Sequence, residues 1–532
     1  MSIQTVLIGL DGATFSILDM LMDDDVMPFL KEFTDTGVRA PLRSVVPALT
    51  PPAWVSLVTG HRPGRHGIFD FFRKESANDP AIRLLTSRDV ASRTMWSIAN
   101  DYGLKATVLN FPISFPAPAI DGYLVAGSVP WRHLRQGCYP STLYDRIKEL
   151  PGFNPRDLVM DMSFEEKAIE GCKQNEYEGW IELHTRRERK WFDVLASLTR
   201  DTPTEVVAIL FDGVDKLQHL CWRFLDPAYS VDLTADWMVR VKDACRGYFR
   251  QLDDLIRQIV EMAGPEATVM LASDHGFGPQ VRTFFVNQWL AERGHLAWVD
   301  GQAPKATDDK TAGIGQVARH VYMLDWQRTT AYAPLPSGNG IHIVRRDADH
   351  PNGVPESEYE SVRARLIAGL TAVVDPDSGE RVVSRVFTRE EIFDGPYVEL
   401  APDLTLELAD GGLISILASD AAVAPKGEPT GTHRPEGIFI ARGPSLRRGA
   451  RLPELSLLDV APLMLRCLGI PAPADFDGRL PVEALADAGT PMSAGANRRE
   501  RELVEAPAAD VGLDAESERE ILRRLQALGY VE

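Results

Sequence analysis

The chain has 532 residues, 44% hydrophobic and 25% charged, with a formal net charge of −19, a composition that suits a globular protein with a large core. The acidic balance, offset by no basic tract, argues against a nucleic-acid polymer or an anionic membrane as partner, and no stretch approaches the ~20 apolar residues of a membrane helix. The five cysteines (Cys138, Cys172, Cys221, Cys245, Cys467) are odd in number and lack a CxxC pair, so buried thiols in a reducing compartment are expected, not a disulfide framework.

The chain begins with the short apolar run TVLIGL, which delivers Asp11 in the sequence LDG. With no basic n-region, long apolar core or small-residue cleavage site there, a cytoplasmic protein without a secretory signal is expected. Next comes SVVPALTPPAWVSLVTGHRPGRHGIFDF at 44–71. Thr50 precedes Pro51-Pro52, which forces it into an extended conformation and lets a helix start at the prolines. A hydroxyl there can meet a phosphoryl group, because helix N-termini favour anions; the plainer reading is an N-cap threonine. KATVLNF at 105–111 and GYLVAGS at 122–128 read as further strands, and 163–200 as a charged, solvated helix over the sheet. The strand EVVAILF runs toward Asp215 and His219, whose spacing of four puts both on one helix face, as chelating ligands or as an exposed ion pair. ATVMLAS ends at Asp274-His275 in SDHGFG, where adjacent ligand-type residues point in different directions and suit two metals. This alternation of strands and helices over residues 1 to about 280 predicts a doubly wound α/β layer structure.

Beyond Phe277 the pattern changes. A helix around NQWLAERG, a polar loop at 301–313, the strand GIHIVRR, a helix around 356–370 and SRVFTREEIF read as an inserted α+β cap over 281–425. His433 follows as a loop histidine in GTHRPEG, and EGIFIAR at 436–442 resumes the core pattern. SLLDVAPLMLRCLGI at 456–470 is an amphipathic helix closed by Gly469 and Pro471. The expected organisation is a catalytic unit over 1–480 interrupted by the cap, a flexible linker at 481–510, and a C-terminal helix at 511–532 that docks through Ile521, Leu522, Leu525 and Leu528.

Asp11, Asp215/His219, Asp274-His275 and His433 each stand where a strand is predicted to end. In an open α/β sheet, binding groups gather outside the carboxyl ends of the strands. Three carboxylates and three imidazoles are enough for two divalent metals, which would also supply the positive centre an acidic protein needs for an anionic substrate. The remaining histidines read most simply as surface or core residues.

In order and wording the motifs resemble the alkaline phosphatase superfamily, specifically its type I phosphodiesterase/nucleotide pyrophosphatase branch. The stretches are LDG at 10–12, Thr50 ten residues before Gly60 in VTG, DxxxH at 215–219, SDHGFG at 273–278 and GTHRPEGIF at 431–439, with PGRHGIFDF, ADFDGR at 474–479 and LGYV besides. The resemblance implies an alkaline phosphatase-like α/β fold, with a mostly parallel central sheet, helices on both faces and the inserted cap. It implies that Asp11, Asp274 and His275 hold one metal, with Thr50 contacting it as nucleophile, and that Asp215, His219 and His433 hold the second. Zinc is the usual metal of the branch, and manganese serves some relatives.

A metal-dependent phosphohydrolase acting on a small phosphodiester or pyrophosphate, such as a nucleotide, is therefore expected. The alternatives are a phosphomonoesterase or phosphotransferase on the same scaffold, or a nucleotide-binding pseudoenzyme, which the intact ligand set disfavours. A sulfatase would need a Cys or Ser that LTPPAW lacks. Two departures stand out: Ala53 and Trp54 follow the nucleophile where the pyrophosphatases have a phosphate-binding Asn, and Pro51 has no backbone N–H to offer. Arg62 and Arg65 lie nearby in sequence as candidate phosphate contacts.

Overall fold

The computed structural model describes residues 2–74, 82–158, 173–229, 233–299, 303, 321–487 and 516. Continuous apolar runs make its central strands. In chain order these are β1 (Thr5–Leu10), β2 (Val38–Arg43), β3 (Ala106–Leu109), β4 (Gly122–Val125), β5 (Cys138–Tyr139), β6 (Val206–Phe211) and β7 (Thr268–Ala272). Every residue of β1, β6 and β7 is buried, as expected of parallel strands covered on both faces. From β7 the chain enters β8 (Gly276–Phe284), which leaves the sheet for the cap. The cap strands are β9 (Ala331–Tyr332), β10 (Gly340–Ile343), β11 (Val383–Thr388) and β12 (Leu404–Leu408). The chain returns along β13 (Val423–Arg434) into β14 (Glu436–Arg442), and β15 (Ala450–Arg451) and β16 (Leu455–Ser456) finish the sheet.

The ten-stranded sheet runs β15-β2-β14-β7-β1-β6-β3-β4-β5, with β16 also on β2. Its centre is parallel: β1 pairs with both β6 and β7, and β3 with β6 and β4. The one long antiparallel strand inside it is β14, between β7 and β2. Alternating side chains of β1 feed two cores. Val6, Ile8 and Leu10 join one under α1 (Phe15–Asp23) and α2 (Pro28–Thr36), while Leu7 joins the other under α3 (Thr50–Thr59). The short α4 (Pro63–His66) follows, and α5 (Met95–Asp101) covers the α3 face. On the α1 face lie α6 (Tyr177–Asp201), α7 (Gly213–Leu225) and α8 (Asp236–Ala263).

The cap has its own core, in which Trp289, Ile341, Leu366 and Leu404 pack behind a four-stranded antiparallel sheet of order β9-β10-β12-β11. It hangs on the antiparallel pair β8–β13, whose register sets Phe277 opposite His433.

Two expectations need correcting. His433 is not on a loop: it sits near the end of β13, fixed by the ladder to β8. The charged stretch 163–200 is not a plain solvated helix, because α6 buries Trp180, Arg187, Glu188 and Trp191 along one stripe. Residues 163–172, most of the polar loop at 301–313, and the expected linker and C-terminal helix beyond 487 lie outside the described residues. The exception in the tail is Glu516, which pairs with Arg132 at 2.8 Å. Cys138, Cys221, Cys245 and Cys467 are free thiols. No helix among the described residues is long and apolar enough to cross a membrane.

Candidate active site

Strand ends deliver the polar groups. After Leu10 the backbone N–H of Asp11 donates to the Phe211 carbonyl at 3.0 Å, carrying the β1–β6 ladder one residue further. The chain then turns through Gly12, at φ 65°. A side chain there would be strained and would meet the Phe277 ring at 2.9 Å, which is why glycine follows the aspartate. Beyond β7, Ser273 donates its N–H to the Ile438 carbonyl at 3.1 Å and accepts from the Ile438 N–H at 2.7 Å. That clamp to β14 fixes Asp274 and His275, both fully buried. Asp274 accepts the Gly12 N–H at 3.1 Å, tying two strand ends together.

The other groups come from helices and the hairpin. Helix α7 starts immediately beyond β6 and presents Asp215 and His219 one turn apart. Contrary to expectation, Thr50 is neither extended nor the N-cap: Leu49 is the extended cap residue, Thr50 is the first residue of α3, and Pro51 and Pro52 fill the first turn, where absent N–H groups cost no intrahelical bond.

All seven predicted residues converge. His275 Nε2 lies 3.3 Å from Thr50 Oγ1, 3.3 Å from Asp274 Oδ2 and 3.6 Å from Asp11 Oδ1. Beside this group Asp215 Oδ1 is 3.3 Å from both His219 Nε2 and His433 Nε2, which are themselves 3.2 Å apart. The His275 and His433 rings stack at 3.6 Å between centroids and join the two groups. Ligand atoms of Asp11, Asp274 and His275 fall within 4.8 Å of one another, as do those of Asp215, His275 and His433. His275 is thus shared geometrically, where the resemblance gave it to one group.

The donor chemistry fits cations. His433 Nδ1 lies 3.0 Å from the Ala48 carbonyl and His275 Nδ1 3.1 Å from that of Gly276. Carbonyls only accept, so both Nδ1 atoms carry the proton and both Nε2 atoms aim lone pairs inward. Those lone pairs meet carboxylate oxygens, and Asp11 Oδ1 and Asp274 Oδ2 are buried with no hydrogen-bond partner among the described residues. Burial, followed by mutual repulsion with Asp274 and Asp215, pushes the Asp11 carboxyl well above its usual range; burial does the same to Asp274. For Asp215 burial also pushes upward, but His219 and His433 outweigh it and hold that carboxyl well below the usual range. A bound divalent cation would satisfy the orphan oxygens and let all three carboxylates ionise.

Groups that the sequence did not single out support these seven. The Trp54 indole N–H donates to Asp11 Oδ2 at 3.2 Å, although in sequence Trp54 was notable only as a departure. Asp212 follows β6 as Asp11 follows β1, a signal that was legible, and pairs with buried Lys216 at 2.9 Å. Behind them Glu188 accepts from the Gly213 N–H at 2.7 Å and the Tyr248 hydroxyl at 3.0 Å. Burial and then Asp212 push its carboxyl up to about 8. Arg62 and Arg65 turn elsewhere: both face Asp394 of the cap, and Arg65 reaches Asp477 at 3.3 Å.

A family model described as type I phosphodiesterase / nucleotide pyrophosphatase matches residues 5–435. The chain belongs to that family. The matched range runs from the first residue of β1 to just past His433 and so takes in all seven convergent residues. No curated protein matches the chain. Members of the type I phosphodiesterase/nucleotide pyrophosphatase family are metal-dependent hydrolases of phosphoric ester bonds that act on small phosphodiester or nucleotide substrates. The clustered Asp and His donors are the candidate ligand groups for that chemistry.

Proposed function

We propose that the protein hydrolyses a phosphodiester or pyrophosphate through a covalent phosphothreonine at Thr50. In this reading Asp11, Asp274, His275 and Thr50 hold one divalent cation and Asp215, His219 and His433 hold another. Zinc suits the mixed imidazole–carboxylate donor set, and manganese is the alternative. The observation that carries the reading is the Thr50 hydroxyl, 3.3 Å from an imidazole whose lone pair points at it and at two buried carboxylates. Divalent cations bound there would lower the hydroxyl's pKa and neutralise charge on the phosphoryl oxygens.

The chain's own residues do the rest. Helix α3 points its N-terminal turn at the reacting group and holds Thr50 by its backbone, so only one side-chain torsion must be set before attack. Thr50 Oγ1 bonds to phosphorus as the bond to the leaving oxygen breaks, and the hydroxyl proton ends on that oxygen. Water then attacks phosphorus, the Oγ1–P bond breaks, and a water proton restores the hydroxyl. Buried carbonyl contacts keep His433 and His275 in one tautomer throughout.

Charge favours a diester over a monoester. A monoester brings a second negative charge, yet Lys216 beside the site is already paired with Asp212, and Arg62 and Arg65 turn away to Asp394 and Asp477. Hydrolysis of bis-(p-nitrophenyl) phosphate compared with p-nitrophenyl phosphate, with zinc or manganese and with a chelator, tests this. Metal-dependent diester cleavage exceeding monoester cleavage is the expected result. Robust monoester turnover without diester turnover would replace the reading with a phosphatase or phosphotransferase.

A further inference from the structure

Between α3, α5 and the segment leaving β3 lies a cavity of about 190 Å³ that the reaction centre does not use. Trp54 and Val58 of α3, Trp96 of α5, Phe111, Ile120 and Leu124 form its apolar walls. Phe111 stands edge-on to Trp54, with centroids 5.5 Å apart and planes at 88°, and tilts against Trp96 at 5.4 Å. Three aromatic side chains thus share one wall, and a further aromatic ring packed against such a wall gains beyond its buried area.

Three of the wall hydroxyls already donate to the chain's own carbonyls. Ser87 Oγ donates to the Pro116 carbonyl, Ser97 Oγ to that of Thr94, and Ser114 Oγ to that of Phe111. The Arg93 guanidinium binds Asp101 and the Ser97 carbonyl. A nucleobase inside would give up hydrogen bonds to water that these three hydroxyl donors, already engaged, do not replace. A hydrocarbon ring has none to lose. An apolar cavity of about 150 Å³ stays dry and takes up one benzene, so this one has room for a six-membered ring with a small substituent. Pro118 and Ala119 are exposed where they line the cavity, which opens it to water and leaves a place for a polar substituent.

We propose that this cavity binds the aromatic ring of a small molecule, and that the ring reports to the reaction centre through Trp54, which lines the cavity and hydrogen-bonds Asp11. The inference goes beyond the hydrolytic reading and is tested without turnover. Phenol titrated calorimetrically into chelator-treated full-length protein should show one saturable site per chain. Ala119→Trp and Ser92→Phe, two changes at the less buried part of the lining that spare the core, should each weaken it at least tenfold. Absence of saturable binding, or equal affinity in both folded variants, would overturn the site, and cyclohexanol binding as tightly as phenol would overturn its aromatic character. Saturating phenol should also shift zinc affinity at least twofold in the native chain and not in the variants. An unchanged zinc affinity would overturn the link through Trp54.

Discussion

The two halves of the candidate site are built differently. Asp11 and Asp274 follow adjacent parallel strands, are bridged by the Gly12 N–H, and are buried in the sheet itself. The second half is assembled from parts: Asp215 and His219 come from α7, and His433 from the β13 strand on which the cap hangs. Carboxylates dominate the first half and imidazoles the second. The first is therefore a property of the sheet, while the second depends on how α7 and the hairpin meet. Stacking of His275 on His433 makes the join, so a disturbance of the hairpin reaches both halves.

The most damaging change should be Thr50→Ala, which removes the proposed nucleophile and leaves both donor sets. Turnover is expected to fall about 10⁴-fold, with metal content and the unfolding midpoint nearly unchanged. Retained activity would mean that no phosphothreonine forms. His219→Ala should break only the assembled half: loss of about one metal equivalent by elemental analysis and at least a ~100-fold fall in activity, since even groups outside the ligand set cost 10–100-fold. Asp274→Ala should cost metal and also folding stability by about 1–3 kcal/mol, because the buried Gly12 N–H loses its acceptor. If the two variants destabilised equally, the contrast between a sheet-built and an assembled half would be wrong.

Much of this was legible in sequence for a physical reason. Strands buried on both faces are continuous apolar runs, so TVLIGL, VVAILF and TVMLA announced themselves and their ends gave the rim. The i,i+4 spacing of Asp215 and His219 gave their shared helix face. His433 read as a loop residue because β13, with Gly427, Pro429 and Gly431 among its residues, has little strand propensity; pairing with β8 makes it a strand. Trp54 was missed as a contact because its reach to Asp11 depends on how α3 packs over Gly9, where a Cβ would strike the indole at 2.7 Å. The roles of Arg62 and Arg65 depended on partners more than 300 residues away.

A milder change sharpens the comparison on the sheet side. Trp54→Phe keeps a ring against Gly9 but deletes the N–H on Asp11 Oδ2. Zinc affinity is expected to fall 10–100-fold at the sheet-built half alone, read by titration against a chelating dye. Equal weakening at both halves would show that stacking through His275 couples them more tightly than separate assembly allows.

The smallest effect on activity is expected where the cap is tied to the core. Asp70 is buried, accepts the Ser337 hydroxyl of the cap at 2.7–2.8 Å and the Phe71 N–H at 2.5 Å, and burial pushes its carboxyl up to about 7. The folded chain therefore holds a proton that the unfolded chain has released between pH 3.8 and about 7. Across that window the native state binds more protons, so its stability falls as pH rises, and the fall stops once both states are ionised. The shift corresponds to roughly 4 kcal/mol. Asp70→Asn removes the titration, and the hydroxyl of Ser337 can turn to accept from the new amide. Urea unfolding should then show the variant gaining on the native chain between pH 5 and pH 8, with turnover within about threefold, because Ser337 still closes the cap. A stability difference that did not change with pH would mean the carboxylate is ionised in the folded chain. The cap would then be tied by a charge, and the assembled half would rest on an anchor as rigid as the sheet.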